Sequence, residues 1–167
     1  MLYNIILKRL FPRLYTFKSS SILNTVGIFF LSKSALLLIN LFFKFSIFFH
    51  GMLLLDIVCY TAAGLSKNIL IYSYKIGASY LYLLITCSKK RIQSIEFFFR
   101  NATWLEREVS DFYGIFFSNK KDRRTLYSIP LVYNSPLEKV FPVNGFYEIF
   151  LCFFLKKLKF RHNSYKA

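Results

Sequence analysis

The chain has 167 residues, enough for one domain with a real core, and 55% of them are hydrophobic, with 21 phenylalanines alone. Soluble domains average about 45–50% apolar, so this chain either meets a membrane or buries much of its surface against partners. Its 23 Lys and Arg against 8 Asp and Glu give a net charge of +15, which favours RNA, phospholipid head groups or an acidic protein. The same bias toward Phe, Ile, Tyr, Lys and Asn is what an AT-rich organelle gene produces, so charge alone does not choose among these. Cys59, Cys87 and Cys152 stand far apart with no C-x-x-C. That spacing offers no Fe–S or zinc signature, and buried free thiols are the expectation.

Residues 1–21 form a basic segment carrying Lys8, Arg9, Arg13 and Lys18 with no acid. It reads equally as an amphipathic transit peptide or as the basic start of an organelle-encoded chain. An α+β domain is expected over 22–114. Its first part is apolar, but Lys18, Lys33, Lys44 and Asp56 cut it into uncharged pieces at 19–32, 34–43, 45–55 and 57–66. Each is shorter than the ~18 residues a membrane span requires, so no span is expected. Residues 43–49 suit the end of a helix or a strand.

Hairpin grammar follows. Ile69–Tyr74 and Tyr80–Thr86 are runs of β-formers around the turn residues Gly77, Ala78 and Ser79, an antiparallel pair expected to be covered on both faces. Next comes a helix, with Thr103 and Glu106 at capping-box spacing and Gly114 as the C-terminal stop. Leu105, Val109 and Phe112 form its apolar face, and Arg107 and Asp111 are i, i+4 partners. Beyond Gly114 the periodicity vanishes. Pro130, Pro136, Pro142 and Gly145 mark 115–148 as an extended partner-binding arm, and 149–167 is a tail that is apolar, then basic.

No chemistry is legible. Glu106 and Glu108 lie about 200° apart on a helix and cannot share a proton. Glu108 and Asp111 share a face, but no His stands near them in sequence, and a charged helix face toward solvent or a partner is the better account. His50 and His162 are isolated. No catalytic, cofactor-binding or metal-binding residue is expected.

The stretch Glu106-Arg107-Glu108-Val109-Ser110-Asp111-Phe112-Tyr113-Gly114 resembles the signature of the 30-kDa subunit family of respiratory complex I. That family comprises mitochondrial NADH dehydrogenase subunit 9 and its bacterial counterparts. Its pattern continues through a His or Lys slot, a basic slot and two apolar ones, which Lys120, Arg124, Leu126 and Tyr127 fill. Pro136-Leu137, Lys139, Phe141-Pro142, Gly145 and Glu148 resemble its downstream segment. Leu54-Leu55-Asp56-Ile57 resembles the start of one of its strands, and Ala102-Thr103-Trp104 its A-N-W.

Departures mark a fast-evolving member. Asn134 and Ser135 replace Gly-His, Glu138 and Val140 stand where Arg and Asp are usual, and 120–125 reads Lys-Lys-Asp-Arg-Arg-Thr.

The resemblance implies an α+β fold, a small mixed sheet with helices followed by an extended C-terminal arm. It implies a non-catalytic core subunit on the matrix side of the mitochondrial inner membrane, packed chiefly on the 49-kDa subunit of the quinone module. FMN, Fe–S clusters and ubiquinone then belong to the complex as a whole and none to this chain. An arm of some thirty residues on a neighbour would exceed a half-interface of about 800 Å², with Trp104, Arg124, Phe141 and Pro142 as anchors. A ribosomal or RNA-binding protein would instead need its basic residues on one face, and a small membrane protein would need residues 22–64 to span. The basic tail is left to meet either lipid or another subunit.

Overall fold

The computed structural model describes residues 15–17, 25–31, 35–61, 68–87, 90–127, 135–138, 141–142, 147–154 and 156–162. The basic segment expected at 1–21 lies outside them except for 15–17, as do Pro130, Asn134, Lys139, Val140 and Gly145.

The fold is α+β, as expected. Strands β1 (Tyr15–Phe17), β2 (Thr25–Leu31), β3 (Leu53–Thr61), β4 (Asn68–Ile76) and β5 (Ser79–Cys87) make a mixed sheet in the order β1-β2-β5-β4-β3. Its centre is the hairpin expected from sequence: β4 and β5 pair antiparallel from Asn68–Cys87 to Ile76–Ser79. Gly77 takes φ +55° in the two-residue turn, a conformation cheap only for glycine.

On β4 every second residue from Asn68 to Ile76 is buried, and on β5 Leu81, Leu83, Ile85 and Cys87 answer them. The other face, with Ile71, Tyr82 and Leu84, is half-buried, so among the described residues one face of the pair is fully covered and the other partly.

Edge strand β3 shows how pattern and register are reconciled. Its buried positions switch from Leu54 to Ile57 and Cys59, an odd step that strict alternation forbids. A bulge absorbs it: Leu54 pairs with Tyr74 and Asp56 with Ser73, leaving Leu55 extra. Asp56 holds the bulge by accepting from its neighbour's backbone, Ile57 N, at 2.7 Å.

Helix α1 (Ala35–Phe45) buries Leu36, Ile39, Asn40 and Phe43, one stripe at i, i+3, i+4 and i+7. Residues 43–49 thus close a helix and make a 3-10 turn (Ile47–Phe49), not a strand. Phe43 packs on Tyr74 and Phe49, with ring centroids 5.7 and 4.9 Å apart. Burying Asn40 and the Tyr74 hydroxyl would be costly if they were unpaired. Instead Tyr74 Oη donates to Asn40 Oδ1 at 2.6 Å, and Asn40 Nδ2 donates to the Leu36 carbonyl at 2.8 Å. No helix among the described residues is long and apolar enough to cross a membrane.

All three cysteines are free thiols, Cys59 and Cys87 buried and Cys152 half-buried. Burial, helped by the nearby Cys87 and Glu138, pushes the Cys59 thiol up to about 12, which makes it a poor nucleophile.

Strand β6 (Arg91–Gln93), helix α2 (Ala102–Tyr113) and strand β7 (Phe116–Ser118) form a crossover unit in which β6 and β7 pair in parallel. Ile115 and Phe117, just beyond the boundary expected at Gly114, are buried in the same core. A three-residue strand is too short for any periodicity to announce. Further along, β8 (Tyr147–Cys152) and β9 (Lys157–His162) pair as an antiparallel hairpin.

Candidate interaction site around the signature helix

Helix α2 carries the Glu-Arg-Glu motif, and it turns three of its charges inward. Its start does not use the expected capping box: Asn101 precedes it in helical conformation with no side-chain cap. Glu106 is pulled elsewhere. Its side chain is fully buried and accepts from Ser94 Oγ at 2.6 Å, Ile95 N at 2.8 Å and Lys120 Nζ at 3.1 Å. Lys120 also donates to the Thr103 carbonyl at 2.9 Å, and Glu96 lies 3.9 Å from its ammonium. Burial raises the Glu106 carboxyl above its ordinary value, while the bonds from Ser94, Ile95 and Lys120 pull it back.

The next residue, Arg107, grips the chain that follows β7. Its Nε donates to the Arg124 carbonyl at 2.8 Å and its Nη2 to the Thr125 carbonyl at 3.4 Å, while Nη1 lies 3.4 Å from Asp122. Asp111 takes the next two residues, accepting from Leu126 N at 2.5 Å and Tyr127 N at 3.0 Å. The Tyr127 ring then stacks on Phe112 at 5.5 Å. A segment with no regular structure, 120–127, is thereby held along most of its length by one face of one helix or by its own Asp122. Arg107 and Asp111, expected to pair with each other, instead each hold this backbone.

Gly114 ends α2 as expected, at φ +62° with its N–H donating to Ser110 O at 2.9 Å. The turn matters for a second reason: a β-carbon at Gly114 would sit 3.4 Å from Ser135. Residues 135–138 of the arm lie against the helix end there, with Leu137 N donating to Phe112 O at 3.1 Å and Glu138 ion-paired to Lys90.

The remaining expected site residues divide by exposure. Trp104 is 62% exposed, with the Arg107 guanidinium 5.2 Å from its ring centroid. Arg124 is exposed and chelates Asp122 through Nε and Nη2; that pairing holds the Asp122 carboxyl well below the usual carboxylate range. Glu108, Pro136, Phe141 and Pro142 are half-buried. A recess of about 210 Å³ opens beside α2, lined by Arg107, Asp111, Phe116, Lys120, Arg123 and Arg124. Arg123 and Arg91 place guanidinium carbons 4.7 and 5.3 Å from the Phe116 ring centroid.

Sequence reading does not reach Ser94, the Ile95 amide and Glu96, which complete the Glu106–Lys120 cluster. Only the fixed spacing between the Glu106 and Lys120 slots hints that the two meet. Among the described residues no group of His, Cys, Asp and Glu is arranged to hold a metal ion.

Residues 50–147 match the model of the family described as the 30 Kd subunit of respiratory-chain NADH dehydrogenase. The chain belongs to that family. The 30 Kd subunit relatives include NADH-ubiquinone oxidoreductase subunit 9 of Paramecium primaurelia, 36% identical over 60% of this chain and 49% of its own length. The same subunit of Dictyostelium citrinum is 29% identical over 71% of this chain and 60% of its own. A bacterial relative, an NADH-quinone oxidoreductase subunit of Francisella tularensis subsp. holarctica, is 32% identical over 53% and 44%. The chain thus spans about half the length of the curated relatives it matches.

Two solved structures share the fold at identities that speak to fold alone. The trypsin-resistant fragment (1-134) of Nqo5 has a TM-score of 0.55 at 16% identity, covering 72% of this chain and 98% of the fragment. A chain of the membrane-bound sulfane sulfur reductase, an archaeal respiratory membrane complex, has 0.58 at 14%, covering 76% and 74%.

Proposed function

We propose that this chain is a non-catalytic core subunit of respiratory complex I, holding its neighbours in place on the mitochondrial matrix side while binding no cofactor itself. Its chief partner is the 49-kDa subunit of the quinone module. One observation carries the reading: the signature charges Glu106, Arg107, Asp111 and Lys120 are spent on fastening the chain to itself. A catalytic acid or base must reach a substrate proton, and Glu106, fully buried among its own partners, is placed to fix a shape instead. What that shape presents outward is aromatic and cationic: Trp104, Phe97 and Arg124, residue types that dominate interface energetics.

The test is blue-native electrophoresis of solubilised mitochondria, probed for this chain and stained in-gel for NADH dehydrogenase activity. Comigration with the active high-mass band is expected. Deleting 130–148 is expected to release the chain from that band, and an assembled, active complex after the deletion would overturn the bracing role of the arm.

A further inference from the structure

The hairpin of β8 and β9 pairs, among the described residues, only with itself. An isolated two-stranded hairpin is at best marginally stable in water, because it has no third layer to bury its apolar side chains. This one has a great deal to bury. In an antiparallel pair, residues directly opposite share a face and successive residues alternate. The register sets Ile149 opposite Phe160 and Leu151 opposite Leu158, with Tyr147 opposite His162 at the open end. One face is therefore apolar, and Tyr147, Ile149, Leu151, Leu158 and Phe160 on it are 49% to 74% exposed.

The opposite face carries Lys157, Lys159 and Arg161, facing Cys152, Phe150 and Glu148. Glu148 is its sole acid, 3.8 Å from Arg161. The connecting turn adds Phe153 at 82% and Phe154 at 101% exposure, followed by Lys156.

We propose that this hairpin is a two-faced docking element that enters a cleft of a neighbouring protein, its apolar face on an apolar wall and its basic face on an acidic one. The inference rests on the subunit role proposed above and gives it a second contact surface. The opposition of the two faces selects a protein over a bilayer. Lying flat on lipid, the hairpin would bury its apolar face but turn the cations of the other face toward water, on the far side of the strand pair from the head groups. Entering tip first, it would bury Phe153 and Phe154 but leave the apolar face in water. A cleft satisfies both faces, and its acidic wall supplies the charge that three exposed cations with one acid lack.

The test uses the assembled complex carrying the full chain. Zero-length carbodiimide coupling followed by peptide mass spectrometry is expected to join Lys157 or Lys159 to an Asp or Glu of another subunit. Acetylation of both lysines by an aqueous amine reagent should be about tenfold slower in the complex than in the released chain, and K157E/K159E should weaken retention at least as much, since close interfacial charge pairs couple that strongly. Equal acetylation rates in both states would overturn the hairpin proposal while leaving the subunit role standing. A photoreactive phenylalanine analogue at position 154 that couples to phospholipid instead of protein would overturn it in favour of a bilayer. A wild-type chain absent from the complex would overturn both readings together.

Discussion

Two regions of this molecule are rich in charge, and they use it in opposite ways. Around α2, Glu106, Arg107, Asp111 and Lys120 are buried, and each bonds a specific atom of its own chain. In the β8–β9 hairpin, Lys156, Lys157, Lys159 and Arg161 are all exposed, and one of them has an acidic neighbour. A charge taken out of water is tolerable only when every bond it needs is supplied, so the first set dictates where the chain must run. An exposed charge imposes no such demand and adds little stability, typically about 0–1 kcal/mol per pair. What the difference teaches is that motif residues need not be the contact residues. The buried charges of the signature build the body, and the surface free for partners lies outside that buried set.

The sharpest way to break this comparison is to unpair Glu106 and Lys120. Either Glu106→Gln or Lys120→Met leaves a buried group without its counter-charge, and the full chain is expected to lose about 3–5 kcal/mol in urea unfolding. The double substitution should recover a large part of that loss. A pH series adds a sign. Burial raises the Glu106 carboxyl in the folded state, so its contribution is full below the ordinary carboxylate range. It is lost as pH rises through the raised folded value. Glu106→Gln should flatten the stability profile across that window; an unchanged slope would mean the carboxyl is not the group responsible.

Next in size are the bonds that hold 120–127. Arg107→Lys removes the planar fork that reaches two carbonyls at once, and Asp111→Asn weakens two charge-assisted bonds. Each is expected to cost about 1.5–3 kcal/mol. Limited proteolysis should then cut near Arg123 and Arg124 faster than in the wild-type protein; unchanged cutting in both variants would show that stacking of Tyr127 on Phe112 suffices.

Much of this architecture is legible in the amino-acid order. The β4–β5 hairpin follows from two β-forming runs around Gly77, and the end of α2 follows from Gly114, because in both places the backbone requirement is local. The Glu-Arg-Glu pattern points to the family, but the jobs of its residues are not readable from it. Glu106 matches a capping box by spacing, yet Lys120, Ser94 and the Ile95 amide compete for it, and a buried cation outweighs a local cap. Arg107 and Asp111 look like surface partners because helical spacing cannot say which face is covered. β7 gives no signal because three residues carry no period, and the bulge at Leu55 is hidden because it breaks the alternation that marks a strand.

A smaller effect is expected at the end of α2. Gly114→Ala forces a β-carbon into φ +62° and to 3.4 Å from Ser135, so a loss of about 1 kcal/mol is expected. Ser135→Gly in the same background should relieve the contact but not the dihedral. A partial rescue in thermal unfolding would separate the two terms, and full rescue would show that the contact with the arm, not the backbone, is what Gly114 protects.

The smallest expected effect tests the other half of the comparison. Phe154 is fully exposed, so Phe154→Ser removes no buried area and breaks no bond among the described residues. Its urea midpoint should match wild type, because surface substitutions away from packed features leave stability nearly unchanged. Lys159→Ala should behave the same way, since its ammonium has no acid opposite it: its partner across the hairpin is Phe150. If either substitution lowers the midpoint of the separated chain by as much as Gly114→Ala does, the hairpin is packed against its own body and the contrast between inward and outward charge collapses. If both are silent in the separated chain yet weaken its retention in the complex, the hairpin's side chains matter only to a neighbour, as the distribution of buried and exposed charge requires.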